Sequence, residues 1–341
     1  MTETEGTIQK STKRKSPLAV GAGIATGLTV GLAGGWILYS NTAIDHNVPL
    51  EKAIPAEREV VDTSTAGRLS YYVYRKGVGR PLLLIHSINA AASAYEMWPL
   101  FEYYREERTV YALDLPGYGF SERADRVYNP LVFERAILEM MDLVLDEPAD
   151  VIALSLSCEF AARAALSEPE RFHSLTFISP SGFNPPQTGR ASQRAKASSG
   201  NFLYSALSFP LWGRPLFDLI TIRPSIDFFL SQSFVGSVPQ SMIDYSYRTA
   251  HQPGAHHAPL YFLSGKLFTN GVRSRIYKKV QTPTLVLYDR DPYVDFETLP
   301  TLLEKNDAWQ AQRIEPTLGL PHFEKLGETT TTLETFWNNI S

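Results

Sequence analysis

The chain has 341 residues, a formal net charge of -4 and one cysteine, Cys158. That length buries a large core and suits one α/β domain with an insertion better than two equal domains. The charge, with no basic patch beyond the amino terminus, argues against a nucleic-acid surface, and a single cysteine excludes a disulfide framework or a cysteine metal site.

Residues 1–16 are polar, with Lys10, Lys13, Arg14 and Lys15 crowded near their end, and read as a disordered basic tail. Leu18 to Leu38 carries no charge. Its length matches the ~30 Å of hydrocarbon that a membrane helix crosses, so residues 17–39 are expected to be a single transmembrane anchor, with a cleaved signal peptide as the alternative. Gly23, Gly27, Gly31 and Gly35 recur every four residues, which lines them along one face where a second helix can approach. The basic residues before the segment place the tail in the cytoplasm and the globular part on the extracytoplasmic side.

Residues 40–67 read as a polar linker. From Leu69 the pattern becomes strand: Ser70 to Arg75, then a turn, then Pro81 to His86, whose apolar run Leu82 to Ile85 suits a strand buried on both faces. Helical sequence follows at Ala94 to Arg105, a strand at Thr109 to Leu113, and a Pro- and Gly-broken segment at Asp114 to Ser121. Leu131 to Leu145 has helical periodicity, and further strands are expected at Leu175 to Ile178, Thr284 to Tyr288 and Trp309 to Ile314. Strands alternating with helices give a doubly wound, mostly parallel α/β sheet. The core is assigned to residues 68–182 and 276–341. Residues 183–275, rich in aromatics such as Phe202, Tyr204, Phe209 and Phe229, form a helical cap. Most of those aromatics make the cap's own core and a minority face a substrate pocket.

The most informative stretch is Asp150 to Ala165, D-V-I-A-L-S-L-S-C-E-F-A-A-R-A-A. A β-branched apolar run passes directly into alanine-rich helical sequence, leaving room only for a very tight bend. A serine at that bend is held in a strained conformation with its hydroxyl above the strand end, which makes Ser155 the candidate nucleophile. The outer positions, Ala153 and Ser157, are the smallest residues after glycine. Ser157 as nucleophile would put Glu159 where a small residue is needed.

Four segments taken in order resemble the α/β-hydrolase superfamily, of the capped serine hydrolase type, from Leu69 to the carboxyl terminus. They are the turn Leu84-Ile85-His86-Ser87-Ile88-Asn89, the segment Asp114-Leu115-Pro116-Gly117-Tyr118-Gly119, the Ser155 bend, and an acid followed by a histidine. The resemblance implies a catalytic carboxylate after Thr284 to Tyr288, where Asp291 matches and Asp289 is the substitute. Gly319-Leu320-Pro321-His322-Phe323-Glu324 is similar to the family's loop G-H-x-P-H-x-E with its first histidine absent, which makes His322 the candidate base. By the same resemblance the oxyanion hole is formed by the backbone amides of Ile88 and Leu156, with Ser87 where relatives usually have glycine.

A serine hydroxyl needs an imidazole to take its proton as it attacks a carbonyl, and the imidazole needs a carboxylate to hold its tautomer. Together with the anchor expected at residues 17–39, the resemblance therefore implies a membrane-anchored hydrolase cleaving an ester or related acyl bond of a small hydrophobic substrate, with no cofactor and no metal. The alternatives are a catalytically inactive binding or assembly subunit, motivated by Ala153, Ser157 and Ser87, or a peptidase or carbon–carbon bond hydrolase using the same triad. His251, His256 and His257 lie together in the cap without a third ligand of defined spacing.

Overall fold

The computed structural model describes residues 32–184 and 200–340. Residues 32–43 form a helix. The rest of the uncharged run, with Gly23, Gly27 and Gly31, and the basic tail lie outside the described residues. Among the described residues no helix is long and apolar enough to cross a membrane.

The described residues from Asp45 onward form one compact unit around an eight-stranded sheet. The strands are β1 (Glu57–Asp62), β2 (Arg68–Tyr74), β3 (Gly79–Ile85), β4 (Arg108–Asp114), β5 (Ala149–Leu154), β6 (Phe172–Ile178), β7 (Thr284–Tyr288) and β8 (Trp309–Arg313). Their spatial order is β1-β2-β4-β3-β5-β6-β7-β8, antiparallel at β1, β2 and β4 and parallel from β4 onward.

Two faces of this sheet are covered, and the pleat explains how one apolar run serves both. Leu83, Ile85, Val151, Ala153, Leu175 and Phe177 join the core beneath the helices Pro130–Val144 and Ser157–Ser167. Their neighbours Leu82, Leu84, Ile152, Leu154 and Ile178 join the opposite core, under Trp98–Tyr104 and Leu326–Ile340. Successive side chains of a strand point to opposite faces, so uninterrupted apolar sequence is what a doubly covered sheet requires.

The residues expected as a linker are more ordered than their polarity implied. Glu57–Asp62 pairs along β2 as the sheet's edge strand, and the Ala53 amide donates to the Tyr72 hydroxyl at 2.9 Å. The side chains of Glu57–Asp62 are exposed or half-buried, so the strand is held by ladder bonds and carries little of the hydrophobic alternation that marks a strand in sequence.

Between β6 and β7 the described elements are helical, among them Gly213–Ile220, Arg223–Ser231, Gln240–Ala250, His257–Leu263, Val272–Arg275 and the turn Tyr277–Lys279. From β3 the chain winds one way to β4, and the strands β5 to β8 continue the other way. The carboxyl ends of β3 and β5 therefore flank the point where the winding reverses, which is where open α/β sheets leave a crevice.

Candidate active site

The bend at Ser155 takes the form its sequence demands. β5 ends at Leu154, the helix begins at Ser157, and Ser155 adopts φ +57° in the left-handed region. An L-residue held there costs about 1–3 kcal/mol, so the surroundings must enforce it. They do so by backbone bonds: the Ser155 amide donates to the Ile178 carbonyl at 2.9 Å, and the Cys158 amide donates to the Ser155 carbonyl at 3.2 Å. Ala153 and Ser157 are fully buried on either side. Ser157 is spent structurally, its hydroxyl donating to the His86 carbonyl at 2.6 Å. Cys158 is sealed, its thiol directed at the Ala153 carbonyl and pushed up by burial, as expected of a packing residue.

The turn after β3 is fixed by three polar side chains. The Leu115 amide donates to His86 Nε2 at 3.0 Å, so His86 Nδ1 carries the proton and donates to the Ser87 carbonyl at 2.6 Å. Glu96 accepts from the Ser87 amide at 2.8 Å and from the Asn89 side chain at 2.7 Å. Asp114, the first residue of the D-L-P-G-Y-G segment, accepts from the Ala94 and Phe120 amides, each at 2.9 Å. Gly119 is required there, because a Cβ would fall 2.0 Å from the Asp114 carboxyl. With the Ser87 amide engaged by Glu96, the Ile88 amide is the next donor in the turn. Neither it nor the Leu156 amide is taken up by another protein group among the described residues. Ile88, Leu156 and Ser155 line one cavity, of about 1360 Å³, roofed by cap residues including Ile226, Phe229, Phe262 and Phe268.

Of the two candidate acids, Asp291 lines this cavity. Its Oδ1 accepts from the Tyr293 and Val294 amides at 2.7 and 3.1 Å, leaving Oδ2 toward Gly319, and burial raises its carboxyl above the usual range. Asp289 instead braces the end of β8, accepting from Arg313 and from the Thr317 amide.

The candidate base is placed differently from the expectation. His322 is fully buried and is not among the residues lining the cavity. Its Nε2 lies 2.7 Å from the Glu96 carbonyl, an acceptor only, so Nε2 carries the proton and donates. Nδ1 is buried without a partner, and burial pushes the imidazole down to about 4. The ring is thus a neutral brace between the carboxyl-terminal loop and Glu96, and no bond joins it to Ser155 or Asp291.

The residue that does lie against Asp291 is Gly319. A Cβ added there would stand 3.1 Å from Asp291 Oδ2 and 3.9 Å from Ser179 Oγ. The pattern G-H-x-P-H-x-E held the signal: with P-H-x-E set on Pro321 to Glu324, its first histidine falls on Gly319. Three more residues of the cavity wall were missed because nothing in their local sequence marks them. Ser179, at the end of β6, has φ +45° and a buried hydroxyl without a partner. Ser181 donates at 2.6 Å to Glu159, whose other oxygen accepts from the Thr269 amide at 2.7 Å. Burial raises Glu159 to about 7. Among the cap aromatics singled out in the sequence, Phe229 reaches the cavity.

Elsewhere, His251 bonds the Tyr247 carbonyl and His256 stacks on His257. His46 pairs with Asp218 and His173 with Asp150. Among the described residues no cluster has the makings of a metal site.

The profile of the Alpha/beta hydrolase family matches residues 82–325, and the chain belongs to that family. Over 118 residues it is 31% identical to 2-hydroxymuconate semialdehyde hydrolase of Pseudomonas sp. (strain CF600), a match covering 34% of this chain and 42% of that protein. Over 115 residues it is 34% identical to pimeloyl-[acyl-carrier protein] methyl ester esterase of Aeromonas hydrophila subsp. hydrophila, covering 33% and 42%. The chain therefore spans about two fifths of the length of these curated relatives. Among solved structures it resembles a serine hydrolase involved in carbazole degradation, with TM-score 0.65 and 17% identity over 83% of this chain and 99% of that one. At that identity the likeness concerns the fold.

Proposed function

We propose that this protein takes a small, largely apolar acyl compound into the cavity, seats its carbonyl oxygen between the Ile88 and Leu156 amides, and acts on its ester or related acyl bond through Ser155. The observation that carries this reading is the strained Ser155 standing beside two uncommitted amides on the cavity wall. Such preorganised donors stabilise an oxyanion by ~3 kcal/mol or more each, because their orientation is already fixed when charge develops. The roof of Ile226, Phe229, Phe262 and Phe268 favours an apolar acyl chain.

The names of two relatives, a semialdehyde hydrolase and a methyl ester esterase, fit this chemistry. A second reading, an acyl-binding subunit without turnover, is favoured by one observation: His322 faces Glu96 rather than Ser155. The anchor stays part of the proposal on sequence grounds. The uncharged run Leu18 to Leu38 behind a basic tail would hold the globular unit at the extracytoplasmic surface, with Gly23, Gly27, Gly31 and Gly35 as a face for self-association.

The test is binding of alkyl trifluoromethyl ketones of increasing chain length, which form a hemiketal with a serine hydroxyl. Wild type is expected to bind them with a chain-length optimum, and Ser155→Ala to lose on the order of 10²-fold or more in affinity, because the hemiketal that mimics the tetrahedral intermediate can no longer form. Equal binding by both proteins would reject Ser155 as the reacting group.

A further inference from the structure

The reading above needs a proton acceptor for Ser155, and among the described residues no imidazole lines the cavity. His86 and His322 are fully buried, each with Nε2 engaged. The oxygens of Glu96 and Glu159 that face the wall already accept hydrogen bonds. Lys266 lies over the rings of Tyr204 and Tyr261. What the wall offers instead is an acceptor and a hydroxyl at the cavity's edge. Asp291 Oδ2 accepts no hydrogen bond among the described residues, Ser179 Oγ is buried and unpartnered, and both flank Gly319, which contributes no side chain. Ser179 follows Ile178, whose carbonyl receives the Ser155 amide, and Ser155, Ser179, Asp291 and Gly319 all line the one cavity.

We propose that this space over Gly319 is a seat for a small basic nitrogen that is not part of the chain, an imidazole-like or amine group, which gives its N–H to Asp291 and takes the proton of Ser155. The inference rests on the function proposed above. In the acylation step the nitrogen lone pair accepts the Ser155 proton as Oγ bonds to the carbonyl carbon, and the carbonyl electron pair moves onto the oxygen held by the Ile88 and Leu156 amides. On collapse the C–O bond to the leaving group breaks, and the alkoxide recovers that proton from the protonated nitrogen. Water then repeats the sequence on the acyl-serine, and the base leaves unchanged. The same chemistry has two sources, a free small base or a basic nitrogen carried by the substrate itself.

The test uses the full chain and a neutral p-nitrophenyl ester with added imidazole. The expected result is a saturable rate increase on the order of 10²-fold, the scale of positioned acid–base catalysis, absent in Ser155→Ala and strongly reduced in Asp291→Asn. 1-Methylimidazole, which has no N–H to give Asp291, should fail to produce it. An ester bearing a terminal amine, compared with its neutral isostere in the absence of imidazole, distinguishes the substrate-borne source from the free one. Gly319→His is a further arm, expected to raise the basal rate and blunt the imidazole response. Because φ at 319 is +103°, Gly319→Ala is measured beside it, and its methyl, 3.1 Å from Asp291 Oδ2, should weaken the imidazole effect. A rate that imidazole leaves unchanged, or a basal rate that collapses in His322→Gln, overturns the proposal while ketone binding by wild type leaves the functional reading standing. Loss of ketone binding as well defeats both.

Discussion

The bend at Ser155 and the loop at Gly319 to Glu324 sit on the same edge of one sheet, yet they have kept different things. At the bend, the geometry resides in the backbone: φ +57°, an amide bonded to Ile178, and two buried small neighbours. Ala153 and Ser157, small residues though not glycine, leave it intact, because both side chains fit buried and the Ser157 hydroxyl bonds the His86 carbonyl. At the loop, function would depend on one side chain reaching Asp291, and the residue in reach is a glycine. The histidine three residues on packs away against Glu96. A strained bend tolerates different neighbours because several backbone bonds share its enforcement. A side-chain acceptor has no such redundancy, because a single rotatable ring would supply it.

The sharpest way to break this contrast is to remove one ring and one hydroxyl and compare. With imidazole present, Ser155→Ala should lower ester turnover on the order of 10³-fold, leaving what the two amides and binding supply. His322→Gln should stay within about threefold of wild type under the same conditions, since the brace acts on the Glu96 carbonyl and not on the nucleophile. Initial rates with a p-nitrophenyl ester decide it. Comparable losses in both variants would mean that the loop rearranges in solution and that the two regions work as one.

Much of the architecture was legible in the sequence because burial on both faces writes apolar runs that need no interpretation. Leu82 to Ile85 and Val151 to Leu154 are strands in the places expected, and the Pro- and Gly-broken segment after Asp114 is the turn that carboxylate holds. β1 was not legible, since an edge strand held by ladder bonds has no core-facing alternation to show. The site was readable where backbone geometry sets it and unreadable where spatial neighbours do. Ser155 announces itself by the strand and helix either side of it. Whether His322 reaches Ser155 depends on Glu96, more than two hundred residues earlier in the chain. The loop pattern had marked the position, but residue type alone drew attention to the histidine present rather than to Gly319.

A second prediction sharpens the brace reading through pH. Burial holds His322 down to about 4, against an ordinary value of 6.5, so the folded protein keeps this ring neutral while the unfolded chain protonates it. Between these values the unfolded state binds more protons, so the stability that the neutral ring supports is present above 6.5 and is lost as pH falls toward 4. The full window amounts to about 3 kcal/mol. His86 acts in the same direction. Glu159, raised to about 7, and Asp114, raised to about 6, act oppositely, because the folded state retains protons that the unfolded chain releases. The wild-type slope therefore mixes opposing contributions, and the informative quantity is a difference. Denaturant midpoints of wild type and His322→Gln should converge as pH is lowered from 6.5 to 4. A constant gap across that range would mean His322 is accessible to solvent and free to serve as a base.

The smallest effect probes how far the bend and the turn after β3 depend on each other. Ser157→Ala removes the hydroxyl that donates to the His86 carbonyl, and both groups are buried, so the carbonyl loses a partner that water does not replace. Leaving a buried acceptor unpaired costs about 1–3 kcal/mol, and the low end applies here because alanine fits the space without strain. Ser155 keeps its own backbone bonds to Ile178 and Cys158, so its φ should persist and trifluoromethyl ketone binding should fall only a few-fold, through the looser placement of Ile88. Urea unfolding and ketone titration on the same sample separate the two contributions. A large loss of ketone binding with little loss of stability would show that the hydroxyl positions the oxyanion amides themselves, and that the elbow's tolerance of substitution stops at residue 157.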